Sequence, residues 1–161
     1  MCRGANDPET MPFAKWQKVL DINLTGAFLF SQAAAREMLK SQYGRIINVS
    51  SVSGLQSSAN GPHYAGYAAS KAGLFGLTRE LAASWGRQGI PGQCHRAGLL
   101  SFASLRTLRS EHAEPGIKAR NPIPRVGAAG ELKGVAVFLA ADASDYITGQ
   151  TIVVDGGRTI V

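Results

Sequence analysis

Tyr67 and Lys71 are four residues apart in Tyr67-Ala68-Ala69-Ser70-Lys71, the stretch that opens the apolar run Ala72-Gly73-Leu74-Phe75-Gly76-Leu77. On a helix this spacing puts an ammonium and a phenol on one face, a turn apart. A neighbouring cation favours the phenolate of such a pair and draws the phenol toward the working range of a general acid or base. The pair could therefore exchange a proton with a substrate oxygen. The same spacing also fits a solvated surface pair, so the surrounding elements have to decide between the two.

A helix is predicted from Pro12, with Thr10 or Met11 at the cap and Pro12 tolerated in the first turn. Trp16, Val19, Leu20, Asn23, Ala27, Phe30, Ala34 and Met38 recur at helical spacing and predict one buried stripe. Asn23 is the polar exception within it. A buried amide needs partners, so Asn23 is either a core Asn bonded to its own backbone or a functional residue. Tyr43-Gly44 predicts the helix end, with Gly44 in the left-handed position. Residues 45–50 then read as a buried strand leading into Ser50-Ser51-Val52-Ser53-Gly54. Ligands of open parallel sheets gather beyond the carboxyl ends of strands, which is where Ser50 and Ser51 fall. Ser51 is the candidate there and Ser53 the runner-up, although serines after a strand also serve simply as turn residues. Tyr64 competes with Tyr67, but Ala68 stands four residues beyond Tyr64 and offers no charge. The helix of Tyr67 should run to about Trp85, with Leu74, Leu77, Leu81 and Trp85 inward and Gly86 as the stop.

The strand ending Asn48-Val49-Ser50-Ser51, the Tyr67–Lys71 pair, Asn23 in Asp21-Ile22-Asn23-Leu24-Thr25-Gly26, and the tail Ile147-Thr148-Gly149-Gln150 to Val154-Asp155-Gly156-Gly157 together resemble the short-chain dehydrogenase/reductase family. Its ketoacyl-reductase-like and polyol or sugar dehydrogenase-like members are the most similar. The resemblance implies an α/β fold, part of a Rossmann-type doubly wound parallel sheet, and hydride transfer between NAD or NADP and an alcohol or ketone. It implies that Tyr67 exchanges the hydroxyl proton and that Lys71 tunes Tyr67 and binds the nicotinamide ribose. Ser51 would steady the carbonyl oxygen, and Asn23 would hold a water that relays protons to the lysine. Tyr67 and Lys71 are thus also the cofactor-binding residues, and no metal is implied. The loop Gly54 to Pro62 would cover the substrate, and helices over 12–41 and 65–86 would join copies of the chain into a homo-oligomer.

At 161 residues the chain reads as a single partial domain, 1–161, with 45% hydrophobic and 17% charged residues. No apolar run approaches the roughly 20 residues of a membrane span. The start Met1-Cys2-Arg3-Gly4 lacks a signal-peptide core, which places the protein in the cytoplasm. Cys2, Cys94, His63, His95 and His112 lack ligand spacing. From Arg87 to Arg125 there are seven basic and two acidic residues, five of the net six positive charges. That concentration, with no nucleic-acid motif, argues against nucleic acid as a partner.

Two departures from the family accompany the resemblance. No glycine-rich phosphate turn precedes residue 12, so about 90 residues, three β-α units of roughly 30 each, are expected to be missing and the strand over 45–50 to have a bare edge. After Gly89-Ile90 the family continues as a strand of the type Arg-Val-Asn-Ala-Ile-Ala-Pro-Gly, whereas this chain has Pro91-Gly92-Gln93-Cys94-His95-Arg96-Ala97-Gly98. Inserting one cytosine after the Ile90 codon of a suitable family coding sequence yields these residues. On this hypothesis the segment 91–116 is read out of frame and its strand and nicotinamide turn are lost, Pro91 being unsuited to a central strand. A gene sequence with no homologous reading in a neighbouring frame would disprove it. From Ala128 the pattern returns as a helix over Glu131–Ala141 with Leu132, Val135, Ala136 and Leu139 inward, then a last buried strand Thr151–Val154.

Overall fold

Strand β1 (Gly44–Ser50) is the first element of a parallel sheet in a computed structural model that describes residues 7–41, 43–57, 64–86, 94–101, 114–128 and 130–160. Alternation along β1 sends successive side chains to opposite faces. Asn48 Nδ2 donates to Thr78 Oγ1 at 2.9 Å and Ser50 Oγ donates to the Lys71 carbonyl at 2.7 Å, so the even positions face α3 (Ala65–Gly86). Arg45, of opposite parity, reaches Asp142 and Asp145 at 2.7 Å each and the carbonyl of Ala140, which ends the helix Lys133–Ala140. Helices therefore cover both faces of the sheet, the doubly wound arrangement expected of a parallel sheet.

The second strand, β2 (Cys94–Ser101), lies between β1 and β3 (Thr151–Val153), and all three run parallel. The register sets Ile46 against Ala97, Asn48 against Leu99, and Leu99 against Thr151. This corrects the expectation that the segment after Pro91 has lost its strand. The described pairing begins at Cys94, three residues after Pro91, which lies outside the described residues. Among the described residues β1 and β3 form the two edges. Thr151 and Val153 are exposed, so β3 is not the fully buried strand anticipated.

Helix α1 (Phe13–Leu20) is capped by Pro12 itself, whose carbonyl accepts from the Lys15 and Trp16 N–H groups, and not by the side chain of Thr10 or Met11. Residues Asp21–Thr25 form a π turn, and the chain continues as α2 (Gly26–Ser41). A π turn inserts one extra residue into the helical repeat and rotates all that follows. Beyond it the buried positions are Ser31 and Ala35, one residue later than the predicted Phe30 and Ala34. Phe30 is 82% exposed. Gly44 is also corrected, with φ of 158°, far from the left-handed helical value of about 57°. A Cβ there would lie 2.2 Å from Met38 Cγ, so an added side chain would displace Met38, and the positive φ by itself favours glycine.

The core gathers on α3. Leu74 and Phe75 are buried against Leu24, Ala27 and Leu77, each large side chain contributing about 1.5–3 kcal/mol on burial. A short helix α4 (Glu114–Arg120) buries Ile117. The last helix, α5 (Lys133–Ala140), begins later than Glu131 and turns Leu132, Val135 and Ala136 partly inward and Leu139 fully so.

Candidate active site

The carboxyl end of β1 runs into a single 3₁₀ turn, Val52–Gly54, which packs on the middle of α3. Two contacts fix this junction. Ser50 Oγ donates to the Lys71 carbonyl at 2.7 Å, and Gly54 lies so close that a Cβ would come within 2.7 Å of Lys71 C and Ala72 N. Only glycine lets the turn approach the helix backbone this closely. Ser51 sits between these two anchors and is buried. Its Oγ accepts the Ser53 N–H at 3.2 Å, so it is a turn residue as well, and its own proton can still be donated.

Tyr67 and Lys71 face the same side of α3, as the spacing predicts. The Lys71 Nζ lies 5.8 Å from the centre of the Tyr67 ring, and both residues are buried, at 1% and 4% exposure. The pair is therefore not a solvated surface pair. A buried ammonium needs acceptors. Lys71 Nζ donates to the Val49 carbonyl at 2.9 Å, which ties the lysine to the strand tip beside Ser50 and Ser51.

Asn23 lies in the π turn and is buried, with its Nδ2 donating to Ser70 Oγ at 3.2 Å. Ser70 Oγ in turn donates to the Tyr67 carbonyl at 2.8 Å. The amide is thus bonded across to α3, on the turn that carries Tyr67 and Lys71. The structure brings Asn23, Tyr67 and Lys71 onto adjoining turns and sets Ser51 on the loop packed against Lys71. Tyr64 is half-buried at the start of α3, its carbonyl accepting the Ala68 N–H.

Sequence reasoning overlooked Ser50, Gly54 and Ser70 as the residues that hold this cluster. Ser70 carried a signal, since a small polar residue three positions after Tyr67 shares the inward face of the helix. Part of the loop over Gly54 to Pro62 lies outside the described residues, as do His63 and His112.

A concavity of about 280 Å³ opens near α4 and the chain following β3, between Ile117, Asn121, Val126, Leu132, Asp155 and Arg158. None of the predicted site residues lines it. Asn121 Nδ2 donates to the Asp155 carbonyl at 3.2 Å, and its Oδ1 is buried without a partner. Arg125 and Glu131 pair on its rim at 2.6 Å.

Comparison with known proteins bears on what this arrangement is. A family model described as Enoyl-(Acyl carrier protein) reductase matches residues 4–159. The chain is also 39% identical over 150 residues to the 2-dehydro-3-deoxy-D-gluconate 5-dehydrogenase of Bacillus subtilis, covering 92% of this chain. It belongs to the short-chain dehydrogenase/reductase family. Similarity to the 3-oxoacyl-[acyl-carrier-protein] reductase of Synechocystis is 40% over 151 residues, or 93% of this chain. The chain spans 58% of the length of each of these two curated relatives. Among solved structures, the gluconate 5-dehydrogenase of Burkholderia cenocepacia in complex with NADP and tartrate superposes with a TM-score of 0.85 at 32% identity, covering 99% of this chain and 62% of that one. The Rossmann-type α/β fold of the family is thus the fold of this chain. No described helix is long and apolar enough to cross a membrane.

Proposed function

We propose that this chain carries the proton-handling site of an NAD(P)-dependent oxidoreductase that interconverts an alcohol and a ketone. The observation that carries the reading is the buried Lys71 ammonium over the Tyr67 ring, anchored to the tip of β1. A nicotinamide cofactor, when bound, supplies or accepts the hydride. The residues fit such a group, because a buried cation and a phenol converge at the carboxyl end of parallel strands, where ligands of these sheets gather. The relative crystallised with NADP shares this fold across 99% of the chain. Tyr67 and Lys71 are the residues that would hold the nicotinamide ribose. Either NAD or NADP suits them, since neither residue reads the adenosine end.

In reduction, the Tyr67 hydroxyl gives its proton to the carbonyl oxygen as that oxygen becomes an alcohol, and in oxidation it takes the proton back. The Lys71 ammonium stabilises the negative charge that develops on the phenol oxygen during transfer. Ser51 donates to the substrate oxygen and holds it within reach of Tyr67. Asn23 supports the water through which Lys71 returns the proton. The small-molecule substrate is an alcohol or ketone, and copies of the chain associate through the α1–α2 segment and α3.

A second reading is a catalytically silent chain that associates with an intact relative. It is favoured by exposed Leu29 and Phe30 on α2, apolar surface that a partner would cover. Titrating the purified chain with NADH and NADPH while following fluorescence separates the two. Binding of either below millimolar supports the oxidoreductase, and binding of neither supports the silent partner.

A further inference from the structure

Ser70 has no exposed surface and sits on α3 between Tyr67 and Lys71. A serine hydroxyl carries one proton, so its two bonds here have fixed directions: it donates to the Tyr67 carbonyl at 2.8 Å and accepts from Asn23 Nδ2 at 3.2 Å. The bond to Tyr67 is local to the helix, whereas the bond to Asn23 joins two elements 47 residues apart in sequence. It reaches the centre of the π turn, a conformation that a regular helix would otherwise replace. With Nδ2 held, the direction of the acceptor end of the Asn23 amide is held as well.

We infer that Ser70 is a positioning residue, setting the Asn23 amide and the π turn against the face of α3 that carries Tyr67 and Lys71. The inference rests on the reading of Asn23 as support for the proton relay. Removing the hydroxyl takes this acceptor away from the buried Asn23 amide and loosens the hold of α3 on the π turn.

The test uses the full chain with Ser70→Ala, Ser70→Thr, Asn23→Ala and the Ser70→Ala/Asn23→Ala pair. NMR follows solvent exchange of the Asn23 side-chain amide, and thermal unfolding supplies a double-mutant cycle. Ser70→Ala is expected to speed that exchange about fivefold or more, in line with one net hydrogen bond, and Ser70→Thr to restore it. The two alanine substitutions are expected to be sub-additive in unfolding. NADPH oxidation with a ketone should show a fall in kcat for Ser70→Ala at unchanged KM, with recovery in Ser70→Thr. Unchanged Asn23 exchange with additive unfolding effects overturns the role of Ser70, whatever the turnover. Altered exchange and coupling in the variants, together with a wild-type chain that transfers no hydride, uphold that role and overturn the reading of the site instead.

Discussion

In the proposed reaction one Ser51 hydroxyl would serve a turn and a substrate together. Its oxygen accepts from Ser53, which orients the side chain, and its proton can still be donated. Ser51→Ala should therefore lower the turnover of NADPH with a ketone by about 100-fold, the cost of removing one preorganised donor, and should also lower the unfolding temperature modestly, because the Ser53 N–H loses its acceptor. Glu131 is a structural counterpart. Its carboxyl is held down to about 2 from 4.5, first by the hydrogen bond from Arg125 and then by the Ala128 N–H. A lowered folded-state value means that the stabilisation is complete above the unfolded value near 4.5 and is lost as the pH falls from there through about 2. Glu131→Gln should flatten the dependence of unfolding temperature on pH in that window and leave it unchanged near neutrality. Because the pair is exposed and screened, the effect should be small and should weaken in salt.

At the scale of elements, the junction between the Val52–Gly54 turn and α3 decides where Ser51 stands. Gly54→Ala would place a methyl 2.7 Å from the Lys71 and Ala72 backbone, neither of which can swing aside. It should cost about 1–3 kcal/mol in unfolding, measured with denaturant, and lower turnover along with stability. Strand β1 was legible as a short apolar run ending in hydroxyls, and helix α3 and the Tyr67–Lys71 face because a period of about 3.6 holds in them. The stripe of α2 was misread from Phe30 onward because the π turn at Asp21–Thr25 adds a residue that the sequence does not announce. Gly44 was assigned the left-handed helical cap conformation, whereas its φ of 158° is a different positive-φ conformation that also favours glycine. β2 was illegible for a different reason: Pro91 read as a strand breaker, although pairing begins only at Cys94. Ser70 was passed over because its partner, Asn23, is distant in sequence and only the folded chain brings them together.

For the whole molecule, Ile22, Leu29 and Phe30 are 49%, 55% and 82% exposed on the segment that leads from the π turn into α2. Apolar surface of this kind is what association through α2 would cover. Phe30→Glu should shift sedimentation velocity toward the monomer without lowering the unfolding temperature measured at high dilution, and an unchanged distribution would remove α2 from the interface. The sheet, its two helical layers and the buried lysine converge on one claim, that the Tyr67 hydroxyl is the proton donor of a hydride-transfer reaction. The direct measurement is steady-state NADPH and NADH oxidation with a panel of ketones by the wild-type chain and Tyr67→Phe, which keeps the ring and deletes the oxygen. The account predicts measurable wild-type turnover that falls at least about 100-fold in Tyr67→Phe. Equal rates in the two proteins, or no turnover in the wild type with either cofactor, would contradict it.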